Sequence, residues 1–447
     1  MCTTTMASKF RNVKTIRILV FFVLVFDRYV WTTLVKRTNA NVVPGCQVLK
    51  DENYEALRGH RIAVLTNPSA VFPESLRHLV DVLHEETNLD IVGILAPEHG
   101  FRGDKQAESG DADHYVDSIT GLSVFSVYRK SPEAISRILE EVSATLVLVD
   151  MQDIGIRLYT FVWTMYDVLN ATNLPTIVLD RPNPLGGALV EGPLLNTTCC
   201  TSRYGRSSVA HRHGMTIGEL ALMFDAEISN QKRHRPRRVS VVGMKGWKRS
   251  FSWRETGLPF INPSPNIPTP SAALHYSATV FLEATTISEG RGTTAPFSSF
   301  GAPWLSNVSV DFVSALNANR ATCSRELGNC FRSQYYIPTF QKYNSTVVAG
   351  AQWIDRRDSA STMPTFATAA QILLLTMRFS GSNFSWDGSW FGQPGSILID
   401  RYAGTPKFRT RLNEWSKNSS KSGVDAVNFF EPDVVSFQNR RKPYLLY

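Results

Sequence analysis

The chain has 447 residues, 43% of them hydrophobic and 11% aromatic, which is enough to bury a large core, is read as two domains, and excludes a disordered protein. Its formal charge is +8, from 47 Lys and Arg against 39 Asp and Glu, a balance that by itself suggests nucleic acid or an acidic membrane surface as partner. Residues 1–40, however, hold seven of those cations (Lys9, Arg11, Lys14, Arg17, Arg28, Lys36, Arg37) against Asp27 alone, so the rest carries only about +2 and no nucleic-acid partner is expected.

That basic segment reads as a targeting leader. The apolar run Ile18–Phe26 follows its first cations, and Thr38-Asn39-Ala40 supplies small residues for cleavage. The run is shorter than the roughly 20 apolar residues that span a bilayer. A cleaved signal peptide is therefore preferred to a signal anchor, which would place Asp27 and Arg28 near mid-membrane; a membrane partner is expected only if the leader stays as an anchor. Six Asn-x-Ser/Thr triplets, at Asn170, Asn196, Asn307, Asn344, Asn383 and Asn418, fit a secreted, endomembrane or lysosomal protein. In such a compartment Cys323 and Cys330 are the expected disulfide, with Cys46 pairing with Cys199 or Cys200 as a second.

Along the body, apolar runs alternate with amphipathic stretches. Arg61–Thr66 predicts a strand and is followed by a turn at Asn67-Pro68-Ser69 and a helical pattern through Leu76, Leu79, Val80 and Leu83. Strands are then expected at Ile91–Leu95, Val124–Tyr128, Thr145–Asp150 and Thr176–Asp180, with helices at Pro132–Glu141 and Phe161–Leu169. This alternation is the pattern of an α/β fold with a Rossmann-like, doubly wound, mainly parallel sheet. The proline-dense Pro259–Pro270 marks a soft boundary, giving a domain over 43–265 and a smaller mixed α/β domain over 266–447, in which Thr346–Ala351 reads as a strand.

Ligands of such sheets bind beyond the carboxyl ends of the strands, where the polar clusters fall: Asn67-Pro68-Ser69, Pro97-Glu98-His99-Gly100, Asp150–Asp153 with Arg157, and Asp180–Pro184. Glu98 stands at a strand end, flanked by glycines that permit close approach, and is suited to acid or base work. The alternative is a loop closed by an ion pair to Arg102. Asp153 either joins this rim or caps the next helix. Ser288–Thr294 adds Glu289 and Arg291 between glycines, as a second charged turn or a surface ion pair. Asn183, Asn262 and Asn266, each beside prolines, either present amides to sugar hydroxyls or form turns. No GxGxxG follows the first strand and no CxxC, His-rich or dense Asp/His pattern is present, so no cofactor and no metal are expected. Arg212-His213-Gly214 lies mid-chain before a capping box at Thr216 and Glu219, the wrong place for a histidine phosphatase, and Lys232–Arg238 reads as a solvated loop.

The ordered blocks LTNPSAV, APEHGFRGD, DMQDIGIRLYTF, DRPNPLGG with VEGPLL, RHGMTIGELA, PSPNIPT and SEGRGTTAPF resemble those of the exo-β-N-acetylmuramidases of the NamZ type, glycoside hydrolase family 171. The resemblance runs over about residues 43 to 447. It implies a Rossmann-like catalytic domain, a cleft closed by the C-terminal domain, and release of terminal N-acetylmuramic acid from the non-reducing ends of peptidoglycan fragments. It makes Glu98 and Glu289 the catalytic candidates. It also makes Asn67, His99, Arg102, Asp153, Arg157, Tyr159, Asn183, Glu191, Asn262, Asn266 and Arg291 candidates for binding a muramyl saccharide, with Arg102, Arg157 or Arg291 facing its lactyl carboxylate. The sequence departs from the family at its leader and at Gln106–Gly110, where the place of Glu108 is blurred. A silent glycan-binding protein and a hydrolase of another acidic sugar are the competing readings.

Overall fold

Residues 42–106, 112–232, 236–319, 322–323, 329–354, 363–393 and 395–447 are described by the structure, a computed structural model. The leader and Glu108 lie outside the described residues. Twelve strands are described: β1 Arg61–Thr66, β2 Asp90–Ala96, β3 His114–Val116, β4 Ser123–Ser126, β5 Leu146–Asp150, β6 Thr176–Leu179, β7 Glu191–Leu194, β8 Ala210–Arg212, β9 Val239–Val242, β10 Ser299–Ala302, β11 Phe331–Tyr336 and β12 Val348–Trp353.

Seven of them form one sheet in the order β3-β4-β2-β1-β5-β6-β9, parallel throughout except for the β3–β4 hairpin at its edge. The chain winds outward from β1 through β2 and β4, returns to β5 beside β1, and winds outward again, as the alternating sequence predicts. Side chains of a strand alternate between faces, and both faces here are buried. Ala63, Leu65, Val147, Val149 and Val178 join the main core with the helices Pro132–Glu141, Phe161–Ala171 and Ile217–Gln231. Ile62, Val64, Leu146, Leu148, Ile177 and Leu179 pack on the other face with the helix Leu79–Glu86. The helix Ile217–Gln231 starts with the expected capping box of Thr216 and Glu219.

Differences from the sequence reading are local. The helix expected from Leu76 begins at Leu79, because Leu76 takes a left-handed conformation with φ 56° and His78 caps the first turn through Val80 N. The disulfide Cys323–Cys330 is formed, but the expected second one is not: Cys46, Cys199 and Cys200 are free. Cys46 is buried with its sulfur 3.4 Å from Arg181 Nη2, and burial pushes its thiol up to about 12, whereas Cys199 is exposed. Among the described residues no helix is long and apolar enough to cross a membrane, and no group of three or more His, Cys, Asp or Glu is placed to hold a metal ion.

The C-terminal half builds the antiparallel sheet β10-β12-β11 and several helices, and its Phe300, Phe366, Phe408 and Phe437 belong to the same core cluster as the main sheet. Strand β10 also anchors the loop after Ile287: Ser288 N donates to Gly301 O at 2.8 Å and Gly301 N to Ser288 O at 3.0 Å. The anchor needs a very close strand approach. Gly301 faces Gly350 across the β10–β12 pair, and a Cβ on Gly350 would lie 2.1 Å from Phe300 O and 2.6 Å from Gly301 Cα. Gly350→Ala is therefore expected to lower stability by at least about 2 kcal/mol, read as a lower denaturant midpoint at unchanged slope. An unchanged midpoint would mean that the two strands separate at no cost.

Candidate active site

The crevice between β1 and β5, where a doubly wound sheet usually holds its ligand, is bridged by the chain's own side chains, with only a small hollow left beside Gln152 and Arg181. Asn67 spans it, donating from Nδ2 to Gln152 O at 3.0 Å and accepting from Gln152 N at 3.2 Å and Ser69 N at 3.3 Å. Beside it Arg181 bonds Asp150, with Nη2 to Oδ2 at 2.8 Å, both side chains buried. The pocket opens farther out, over the loops that follow β2 and β5.

It is lined by Glu98, His99, Leu158, Tyr159, Thr160, Tyr204, Ser264, Asn266, Ile267, Tyr276, Glu283, Arg291, Phe297, Phe391 and Tyr402, and encloses a cavity of about 50 Å³. A wider hollow beside His60, Arg61 and Asp90 lies at the amino ends of β1 and β2, away from these loops.

Glu98 reaches the pocket because the chain turns sharply after β2. His99 and Gly100 both take positive φ, 71° and 72°, and Gly100 N donates to Pro97 O at 3.2 Å. A histidine in that region carries backbone strain, which the His99 Nδ1 contact to Lys105 O at 3.0 Å and the edge of its ring on Phe161 hold in place. Thr160 Oγ1 donates to Glu98 Oε2 at 2.6 Å. Thr160 is also the N-cap residue of the helix Phe161–Ala171, yet its side chain makes no cap bond. The hydroxyl that would ordinarily cap the helix orients Glu98 instead.

Tyr276, Glu283 and Phe297 form the inner wall, exposed by 7%, 2% and 0% respectively. Glu283 sits on the short 3-10 turn Val280–Ala284. Its Oε1 accepts from Arg291 Nε at 2.8 Å and its Oε2 from Tyr402 OH at 2.6 Å. Burial raises the pKa of Glu283 above the ordinary carboxyl range, against the opposing pull of Arg291. Behind it, Arg291 Nε lies 3.6 Å from Glu289 Oε1, and Lys342 Nζ donates to Glu289 Oε2 at 3.1 Å.

Profiles described as Exo-beta-N-acetylmuramidase NamZ match this chain twice, the N-terminal one over residues 62–271 and the C-terminal one over 274–447. The chain belongs to this family. It is 35% identical over 410 residues to the peptidoglycan beta-N-acetylmuramidase NamZ of Bacillus subtilis (strain 168), which covers 91% of each chain. Two crystal structures of DUF1343 family proteins from Bacteroides fragilis NCTC 9343 share the fold. One has a TM-score of 0.76 at 29% identity, covering 92% of this chain and 100% of that one; the other has 0.67 at 27%, covering 91% and 99%.

Of the residues singled out in the sequence, Glu98, His99, Tyr159, Asn266 and Arg291 come together in the lining. Asn266 is steadied by a bond from Nδ2 to Gln106 Oε1 at 3.1 Å. The others are placed differently. Glu289, expected as the second catalytic carboxylate, is 1% exposed and bound to Lys342 behind the wall, and Glu283 is the carboxyl that the lining contains besides Glu98. Arg102 forks onto Asp81 at 2.7 and 3.0 Å and onto Asp117 at 2.8 and 3.2 Å. Arg157 is fully buried and donates to Tyr402 O at 2.8 Å, so of the three candidate arginines only Arg291 lines the pocket. Asp153 accepts from Gly155 N at 2.7 Å, with His213 Nε2 at 3.6 Å. Asn183 braces Met215 O and Leu185 N, and Asn262 is exposed. Glu191 pairs with Arg212 at 2.8 Å and accepts from Thr365 N and Phe366 N at 3.2 Å, which caps the helix Thr365–Ser380.

Sequence reading missed Glu283, Tyr204, Tyr276 and Tyr402. A lone carboxylate inside the apolar run Val280–Ala284 was a usable signal for the first, since a buried charge needs a reason. The tyrosines carried none. The role of Arg102 is testable: Arg102→Lys keeps the charge but loses the fork onto two aspartates, and is expected to cost about 1.5–3 kcal/mol of stability. KM for a saccharide substrate should stay at its wild-type value. A raised KM at unchanged stability would return Arg102 to the binding site.

Proposed function

We propose that this protein is an exo-acting glycoside hydrolase that releases terminal N-acetylmuramic acid from the non-reducing ends of peptidoglycan fragments. One observation carries the reading beyond the family likeness: a single pocket is lined by two carboxyls, Glu98 and Glu283, and by one guanidinium, Arg291. Cleavage of a glycoside needs a carboxylic acid to protonate the leaving oxygen, and either a second carboxylate or the substrate's own acetamide to support the oxocarbenium-like centre. Glu98, half-exposed and aligned by Thr160, moves the proton. Glu283 faces the ring from the inner wall, and Arg291 receives the lactyl carboxylate that distinguishes muramic acid from glucosamine. Tyr159, Tyr276 and Phe297 supply apolar faces against which a sugar ring packs.

Glu98→Gln preserves shape but cannot exchange the proton, so turnover of a β-N-acetylmuramide should fall by at least ~100-fold while the thermal midpoint is kept. The residual glucosaminide activity of the wild type, measured alongside, should be far below its muramide activity. Wild-type turnover in the folded mutant would take Glu98 out of the mechanism, and equal wild-type rates on the two glycosides would favour a general hexosaminidase.

The proposal extends to the compartment, with the basic, apolar leader directing the chain into a secretory route. Five of the six sequon asparagines, Asn196, Asn307, Asn344, Asn383 and Asn418, are exposed, and Asn170 is half-buried. Asn196 and Asn418 stand in turns in which their side chains accept from Thr198 N and Ser420 N, both at 3.0 Å. The protein expressed in a eukaryotic secretory host is expected to carry N-glycans at several of these sites, seen as a mobility shift after enzymatic deglycosylation. An unshifted protein in the cytosol would remove the localisation.

A further inference from the structure

A second hollow borders the pocket. It is lined by Arg129, Arg203, Arg206, Arg401 and the exposed Trp390, contains no carboxylate among the described residues, and shares Phe391 with the pocket. Three pairs of consecutive residues divide the two spaces between them. Tyr204, Tyr402 and Phe391 line the pocket, while their preceding neighbours Arg203, Arg401 and Trp390 line the groove. The dividing wall is firm, since the Tyr204 and Tyr402 rings meet edge to face at 4.7 Å and Arg203 lies over the Tyr204 ring at 4.9 Å. Arg206 is anchored by Asp167 at 2.9 and 3.0 Å, and Arg401 bonds Gln393 Oε1 at 2.6 Å.

We infer that this arginine-lined groove is a leaving-group subsite that binds the carboxylates carried by the glycan beyond the scissile bond. The inference rests on the exo-acting reading, in which the terminal sugar occupies the pocket and the rest of the chain leaves past its rim at Phe391. An exposed tryptophan suits the face of a sugar ring, and guanidiniums suit carboxylates in a fork geometry. Two groups of the same chemistry can fill it: the lactyl carboxylate of the next muramic acid, or the carboxylates of a peptide attached to that lactyl group.

Arg129 and Arg401 lie outside the pocket lining, so the double variant Arg129→Gln/Arg401→Gln should leave kcat/KM on a chromogenic muramide with no leaving-group sugar unchanged. Direct binding is read by calorimetry on the full chain with a GlcNAc–MurNAc disaccharide, its neutral lactyl amide, and the same disaccharide bearing a stem peptide. These probes carry no muramic acid at the non-reducing end, so the result does not depend on turnover. The wild type should bind a carboxylate-bearing probe about 10-fold or more tighter than the neutral amide, and the double variant should lose that preference. A preference already complete with the free disaccharide assigns the lactyl group; one that appears only with the stem peptide assigns the peptide. Equal affinity for charged and neutral probes, or a preference untouched in the double variant, overturns the subsite. Absence of wild-type turnover on the chromogenic muramide would instead overturn the muramidase reading.

Discussion

Four charges that have left water fix the inner wall of the pocket. Glu283, Arg291, Glu289 and Lys342 follow one another as a chain of alternating sign, with side-chain exposures of 3%, 10%, 1% and 5%. Ions buried this deeply cost several kcal/mol each unless every hydrogen-bonding direction is met, and here most are. Lys342 Nζ donates not only to Glu289 but also to Leu282 O, Glu283 O and Ile287 O, at 2.8 to 3.2 Å. One ammonium therefore ties the turn that carries Glu283 to the loop that carries Glu289 and Arg291. Hydrophobic side chains of equal volume would hold these loops as firmly, but they would not leave oriented dipoles and charges facing a reacting sugar. The Ser288–Gly301 bonds and the close Gly301–Gly350 approach keep the far side of the same loop in register.

The main sheet contributes position rather than chemistry. Its switch point is bridged by the Asn67–Gln152 and Asp150–Arg181 bonds, which leave only a small hollow beside Gln152 and Arg181. The loop after β2 must then carry Glu98 outward, and the positive φ of His99 and Gly100 is the local strain that accompanies that turn. The opposite wall comes from Tyr276, Glu283, Arg291, Phe297 and Tyr402 of the C-terminal half, which has no strand in the parallel sheet. Neither half encloses the pocket alone, and the shared core that runs from Ala63 to Phe437 is what lets loops of the two halves meet at fixed distances.

Strand positions were legible in the sequence because buried parallel strands are short, near-continuous apolar runs, and Arg61–Thr66 and Thr176–Leu179 are of that kind. The position of Glu98 was legible for a related reason: a carboxylate directly after such a run stands at a strand end. Side-chain partners were not. Arg102 and Arg291 occur in similar glycine-flanked motifs, yet one is spent on Asp81 and Asp117 and the other faces the pocket. Asp81 and Asp117 lie 21 residues before and 15 after Arg102, on a helix and a hairpin whose packing no local pattern encodes. Glu289 was singled out because its glycine-flanked loop looked like a site, and Glu283 was not considered because it stands in a run that reads as core. Its being in the lining depends on where the 3-10 turn Val280–Ala284 exposes one edge.

The charge chain also bears on how an anionic sugar is accepted. With Glu98 counted, the site holds three carboxyls against two cations, so a lactyl carboxylate arriving beside Arg291 adds a further negative charge. The cheapest compensation is a proton on the carboxyl nearest to Arg291. Burial already raises the pKa of Glu283, and a further anion at hydrogen-bond distance from its partner acts in the same direction. On the proposed reading, substrate binding and protonation of Glu283 are then linked: each favours the other by the same free energy, whichever comes first. A glycoside lacking the lactyl group brings no such anion to Arg291. The pocket would thus select muramic acid through its charge as well as its shape.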